Sequence, residues 1–447
     1  MKRFHPALLL LALLSFGIPA FADNDRTAPS GDRNDPVVIP LRKEVAKSGW
    51  SVGVLPAFTY NNDFGFLVGA MAQVFDYGDG SMYPNYRHKF TANINYYTRG
   101  AKQAAMNYDS KYLVPGLRVT AGLEYMDNPL CGFYGFNGSA SPYHADLDLH
   151  KSADGTEGIA FYADHQRKLR ASLDLQGRVA DGLTWIGGFG YSWQRYSDVS
   201  FKSYDGRESL FHQYVENGLI PEMDLHGHRA ELKGGLVYDT RDFEPNPARG
   251  LFASVTATAG ASISEGARGS MVLSADFRQY IPLWPGRITL AYQFCYSGLV
   301  AGSLPFYALP AFAMRGSFGS RITGNGVAWA SADLRLCVAR FRLLKQNFEL
   351  GLVGFGDAGA AVQPYKLEQQ SALGDVTVQK TMDGVTAGPY RSIFDPDIAT
   401  RERLHGSAGG GFWFAMNRNF ITAVEFGRPM DPQDGTFGVY INLGFSF

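Results

Sequence analysis

The stretch Phe437-Gly438-Val439-Tyr440-Ile441-Asn442-Leu443-Gly444-Phe445-Ser446-Phe447 decides the fold. Phe437, Val439, Ile441, Leu443, Phe445 and Phe447 recur at every second position, with glycine, tyrosine, asparagine and serine between them. A period of two puts these sets on opposite faces of one β-strand, and the first face is wholly apolar. In water such a strand needs a covering sheet, or it templates aggregation. In a closed transmembrane barrel the oily face meets lipid, the small polar face meets the lumen, and closure removes the free edge. The alternation predicts such a barrel, with this segment running to Phe447 as its last strand.

Working back along the chain, alternating segments of similar length recur between clusters of Gly, Pro, Asn and Asp. Sixteen are expected, near 50–60, 64–76, 87–98, 103–112, 117–126, 165–178, 183–195, 227–238, 251–260, 268–280, 286–298, 326–338, 347–358, 406–416, 419–428 and 437–447. The long connections at 127–164, 196–226, 299–325 and 359–405 all follow odd-numbered segments, so an antiparallel meander puts them on one side. The expected fold is therefore all-β, a sixteen-stranded antiparallel transmembrane barrel spanning residues 50–447. Alternation also sends charge to the lumen: Asp333 and Arg335, Asp276 and Arg278, and the series Arg229, Glu231 and Lys233 lie on inward faces. Such pairs either fill and stiffen a barrel or serve a mechanism, since unpaired charge away from water is costly.

The N-terminus begins Met1-Lys2-Arg3, continues with an apolar run from Ala7 to Pro19 and ends in Ala20-Phe21-Ala22. These are the three zones of a secretory signal peptide, expected to occupy residues 1–22. Residues 23–49 are rich in Asp, Arg, Pro and Ser and are expected to form a short periplasmic tail. After the signal no run of roughly eighteen uncharged apolar residues remains, so a membrane helix is excluded and only strands can cross. With 41 basic against 42 acidic residues the chain has no nucleic-acid footprint. Cys131, Cys295 and Cys337 are odd in number, far apart and without metal-ligand spacing, which suits small apolar side chains.

Three separated motifs carry a family resemblance. Tyr238-Asp239-Thr240-Arg241-Asp242, followed by Pro245, Pro247 and Arg249-Gly250-Leu251-Phe252, resembles the periplasmic turn between strands eight and nine of the BamA/TamA superfamily of outer-membrane assembly and translocation barrels. Asp and Pro nucleate such a turn, and Gly250 permits a backbone angle other residues resist. Met314-Arg315-Gly316-Ser317-Phe318-Gly319 resembles that superfamily's Val-Arg-Gly-Phe/Tyr motif, on a loop between strands eleven and twelve that folds back into the barrel. The first position is Met and the fourth Ser here, and Phe318 stands one place beyond the expected aromatic. Phe355-Gly356-Asp357-Ala358-Gly359 resembles the superfamily's Phe-x-Asp-x-Gly motif on the inner wall. The resemblance implies that Arg315 and Gly316 lock the loop against Asp357 and Gly359. It also implies an outer-membrane location in a Gram-negative cell. The short tail before strand one, about 27 residues, looks like a branch lacking the N-terminal POTRA repeats with which relatives capture clients.

Three readings of function compete. The first, implied by the resemblance, is insertion or translocation of outer-membrane or secreted client proteins through a weak seam between the first and last strands, with clients delivered by a periplasmic partner. Gly53, Gly438 and Gly444 weaken pairing there, or merely relieve curvature. The second is a passive pore or structural barrel. The third, a hydrolase, has only His226 and His228 near Glu222 and Asp224 to draw on, a spacing that can also hold a metal or form a solvated rim. No Gly-x-Ser-x-Gly elbow accompanies them. The expectation is therefore a non-enzyme with no cofactor.

Overall fold

A computed structural model describes residues 47–447 except 62–64, 82, 84, 149, 152–157, 202–203, 206–208, 264–267, 344–345, 374–375, 378–380, 383–384, 387–388, 391–401, 417, 419 and 446. The expected signal peptide and nearly all of the expected tail lie outside the described residues. Sixteen strands form one sheet in chain order, each antiparallel to its neighbours. They are β1 (Trp50–Asn61), β2 (Gly65–Asp76), β3 (His88–Tyr97), β4 (Lys102–Val114), β5 (Leu117–Gly132), β6 (Ala163–Ala180), β7 (Leu183–Ser197) and β8 (His226–Asp239). Then follow β9 (Gly250–Ser262), β10 (Gly269–Trp284), β11 (Ile288–Gly302), β12 (Gly326–Leu343), β13 (Gln346–Gln363), β14 (His405–Met416), β15 (Phe420–Pro429) and β16 (Gly438–Leu443). No described helix is long and apolar enough to cross a membrane.

Each segment expected from alternation coincides with one of these strands, but several strands run further into the loops. β5 continues to Gly132 through a register shift between Asn128 and Cys131, and β13 continues to Gln363. The reason is that ladder hydrogen bonds serve the backbone whatever the side chains do, so a bulge or a run of small residues hides a strand from a period-two reading. The opposite error occurs at the end of the chain. The last strand stops at Leu443 instead of running to Phe447, because Gly444 takes φ +92° and turns the chain off the sheet.

The two faces of the sheet differ as alternation requires. Trp50, Val52, Val54, Ile94, Leu232, Leu236, Leu334, Val338, Leu352, Phe412 and Ile441 are exposed on one. On the other, Asp333, Arg335, Asp357 and Glu425 are buried. β1 and β16, the two ends of the sheet, approach within 8 Å between Cα atoms. No strand ladder joins them among the described residues.

The largest apolar core lies outside the sheet, in the long connections. Phe133, Tyr134, Phe136 and Tyr143 from the β5–β6 connection pack with Leu210, Phe211 and Tyr214 of α1 (Leu210–Glu216), with Phe306 and Phe318, and with Tyr365. Phe133 makes edge contacts with Phe136, Phe211 and Tyr214 at centroid distances of 5.7, 5.6 and 5.4 Å. Ser209 caps α1 by accepting from the His212 amide. These loops form a packed lid of their own.

Candidate functional site

The connection between β11 and β12 reaches the charged face through Arg315. Its Nε donates to Asp357 Oδ2 at 2.9 Å and its Nη2 to Asp357 Oδ1 at 2.6 Å, the two-pronged geometry a planar guanidinium offers a carboxylate. The Arg315 amide adds a third bond to Asp357 at 3.1 Å. Sequence reasoning missed two further partners. Nη1 donates to Glu425 of β15 at 2.9 Å, and Nη2 to Asp333 of β12 at 3.0 Å. Below, the guanidinium lies 3.6 Å from the centroid of the Phe355 ring. Arg315 thus joins β12, β13 and β15 through one side chain. Glu425 had a readable signal: it alternates with Val424 and Phe426 on the inward phase of β15.

Backbone approach explains the glycines. Gly316 has φ +100°, and a Cβ there would sit 2.7 Å from the Arg428 amide. A Cβ on Gly427 would sit 2.6 Å from the Arg315 carbonyl. The loop main chain therefore lies directly on β15, an approach only glycine allows. Gly359 makes room for the Phe312 ring, which stacks on Trp329 at 5.3 Å. Gly316 also donates its amide to the Tyr440 hydroxyl of β16 at 2.8 Å. Beyond the motif, Phe318 stacks on Tyr134 at 4.8 Å, which ties the loop into the lid. Arg321, enclosed, donates to the carbonyls of Ser141 and Gln433 at 2.6 and 3.0 Å.

The terminal segment belongs to the same constellation. Asp333 also accepts from Arg335 Nη2 at 3.0 Å, and that nitrogen donates to the Phe447 main-chain oxygen at 3.0 Å. The Arg335 guanidinium lies 3.9 Å from the Phe445 ring centroid. Phe447 is buried against Tyr280 and Ala291. Phe437 and Ile441 remain on the exposed face, whereas Phe445 and Phe447 have left it; β16 itself ends at Leu443.

At the opposite end, the β8–β9 connection is built by its own acids. Asp239 takes a two-pronged pair from Arg241 at 2.9 and 2.7 Å. Asp242 Oδ1 accepts from the amides of Phe243, Ala248 and Arg249, closing the turn. Gly250 has φ +111°, and a Cβ there would meet the Thr240 carbonyl at 2.4 Å. Glu244 then reaches the β4–β5 hairpin, accepting from Arg118 at 2.8 Å and Lys111 at 3.3 Å. Burial pushes the Glu244 carboxyl up, but Arg118, Lys111 and Arg241 outweigh it and hold it below the usual carboxylate range. A cavity of about 430 Å³ lies here, lined among others by Lys89, Asp109, Arg118, Glu244, Arg278 and Phe447.

The histidines named from the sequence stay apart from these groups. His226 and His228 are exposed at the start of β8, with His228 Nδ1 2.7 Å from the Tyr191 hydroxyl. Asp224 instead pairs with Arg268. The constellation around Arg315 can hold a loop and align strands; it presents charge pairs and main-chain contacts.

The sequence model of the Omp85 superfamily domain matches residues 88–447. No curated protein matches the chain. Among solved structures, CdiB from Escherichia coli is similar at a TM-score of 0.50 and 9% identity, over 89% of this chain and 62% of that one. BamA from Haemophilus ducreyi lacking POTRA domains 1-3 aligns at a TM-score of 0.49 and 15% identity, over 88% of this chain and 70% of that one. The chain thus spans about two thirds of the length of these structures.

Proposed function

The chain belongs to the Omp85 superfamily, and from that premise we propose that it is an outer-membrane barrel that inserts or translocates other proteins through a lateral seam between β1 and β16. In this reading the sheet closes on itself where those strands approach, its apolar face meets lipid, and residues 303–325 fold inward and are locked by Arg315 on Asp357. The charged face becomes the lumen, so the buried carboxylates and guanidiniums face one another instead of hydrocarbon. Clients are outer-membrane or secreted proteins, and a periplasmic partner delivers them on the side of the short turns.

One observation carries the seam. β1 has twelve residues and β16 six, and no ladder joins them among the described residues, whereas every other neighbouring pair in the sheet is hydrogen-bonded. An unladdered junction opens sideways at little cost and offers a strand edge to an incoming strand without exposing its backbone to lipid.

The test uses paired cysteines in β1 and β16, scanned around Val52 and Ile441, in purified protein reconstituted in liposomes. Acceleration of folding of a urea-unfolded eight-stranded outer-membrane barrel is measured before and after oxidation. Loss on oxidation and return on reduction support the seam. Full activity in the oxidised form overturns it, and absence of acceleration in any form favours a passive or structural barrel.

A further inference from the structure

The terminal pattern and the structure part company at Gly444. By alternation Phe445 and Phe447 continue the apolar face of β16, yet both lie against Arg335 on the charged face. Phe445 and Phe447 thus have two chemically suitable seats, one in line with the strand and one inside. Arg335 holds the inner one through the Phe447 main-chain oxygen at 3.0 Å and the Phe445 ring at 3.9 Å.

What holds Arg335 is Asp333, and Asp333 is shared. Its Oδ1 accepts from Arg315 at 3.0 Å, and its Oδ2 accepts from Arg335 Nη2 at 3.0 Å and Nε at 3.3 Å. The carboxylate is fully enclosed and accepts from both guanidiniums, one on each oxygen, so the two like charges are held close together, although Arg315 also has Asp357 and Glu425. Arg335 is the under-satisfied partner: its Nη1 is buried with no acceptor.

We propose that Arg315 and Arg335 compete for Asp333, making the loop 303–325 and the segment 444–447 a reciprocal pair in which release of either tightens the hold on the other. When Arg315 withdraws, Asp333 Oδ1 opens to Arg335, which then engages both oxygens side-on, and the repulsion between the two cations ends. When the terminal segment leaves, Arg335 loses the contacts that fix it beside Asp333, and Asp333 shifts toward Arg315. The seam-side segment therefore leaves its seat only while the loop lock is at its firmest, so the lumen stays obstructed as the edge opens. This last step rests on the seam reading; the competition itself does not.

One contact has the opposite sense and is removed for the test. The Gly316 amide on the Tyr440 hydroxyl couples the loop to β16 cooperatively, so the measurement is made in a Tyr440→Phe background. Amide hydrogen exchange of the purified full chain is read at two places: the loop, where Arg315 and Phe318 donate to Asp357 and to the Asp434 carbonyl, and the terminal segment, where Gly444 donates to the Ile421 carbonyl. Arg315→Gln is expected to speed exchange in 303–325 and to slow it in 444–447, on the order of fivefold. Arg335→Gln is expected to do the reverse. Asp333→Asn is expected to speed both, and adding Arg315→Gln to it leaves 444–447 where it was. Faster exchange in both segments on Arg315→Gln, or no change in 444–447, overturns the competition. Should the glutamine variants fail to fold, Arg315→Lys and Arg335→Lys carry the same comparison with smaller shifts of the same sign. No client is needed, so failure of the seam reading in the cross-linking test leaves this result interpretable.

Discussion

The long-connection side and the short-turn side of the sheet are held in different ways. On the side of the long connections, aromatic rings from four loops pack into one core, and the Arg321 side chain on that side is fully buried. On the side of the short turns, the Glu244 bridge to Arg118 and Lys111 spans beside a cavity ringed with charge, and the Glu244 side chain is a third exposed. The loop end is held by packing around buried ion pairs, His405 with Asp434 and Glu402 among them, and the turn end by ion pairs in contact with water. Packing is indifferent to salt and pH, whereas partly exposed ion pairs are screened by one and titrated by the other. The aromatic core of the lid is therefore expected to respond to salt less than the turn end does.

The largest effect that can break this contrast comes from the lock between the two ends. Arg315→Ala leaves Asp333, Asp357 and Glu425 buried around a missing cation and is expected to cost about 3–5 kcal/mol, read as a drop in the temperature at which heat-modifiable gel mobility is lost. A charge swap, Arg315→Asp with Asp357→Arg, is expected to rescue little, since the new aspartate still faces Asp333 and Glu425; full rescue would mean the pair acts alone. Next, Phe133→Ala is expected to cost about 3 kcal/mol, equally at low and high salt; strong salt dependence would dissolve the contrast. Gly316→Ala forces a side chain into φ +100° against the Arg428 amide and is expected to cost about 1–3 kcal/mol.

The smallest effect sharpens the contrast. Because Glu244 is held below the usual carboxylate range, its contribution is present above the ordinary value near 4.3 and is lost as pH falls through its lowered value in the fold. Glu244→Gln is expected to remove about 1 kcal/mol or less at neutral pH and to flatten the acid dependence of exchange in residues 240–249. The lid amides are expected to show no such change. An unaltered acid profile in the variant would assign the turn's pH response elsewhere.

The strands were legible because each has to satisfy lipid-suited and inward faces in alternation, and that demand is written locally. Asp239, Arg241 and Gly250 share one turn whose chemistry is local, whereas Arg315 and Asp357, 42 residues apart, were reached only through the family resemblance. The lid was not. Phe133, Phe211, Phe318 and Tyr365 have no shared period, and their meeting depends on where four strands deliver four loops. Asp333 and Arg335 were read as a pair on one inward face, yet nothing local in β12 says that the loop arginine takes the other oxygen of Asp333. Phe447 was misplaced because alternation cannot register that Gly444 adopts a left-handed angle, nor that Arg335 offers the ring a second home.

Arg321 carries one more consequence, concerning the order in which the molecule is built. Its two acceptors, the carbonyls of Ser141 and Gln433, come from opposite halves of the chain, and its side chain is fully enclosed. Enclosing that guanidinium therefore takes both halves of the chain, and the loop's seat is complete only when the segments around Ser141 and Gln433 are both in place.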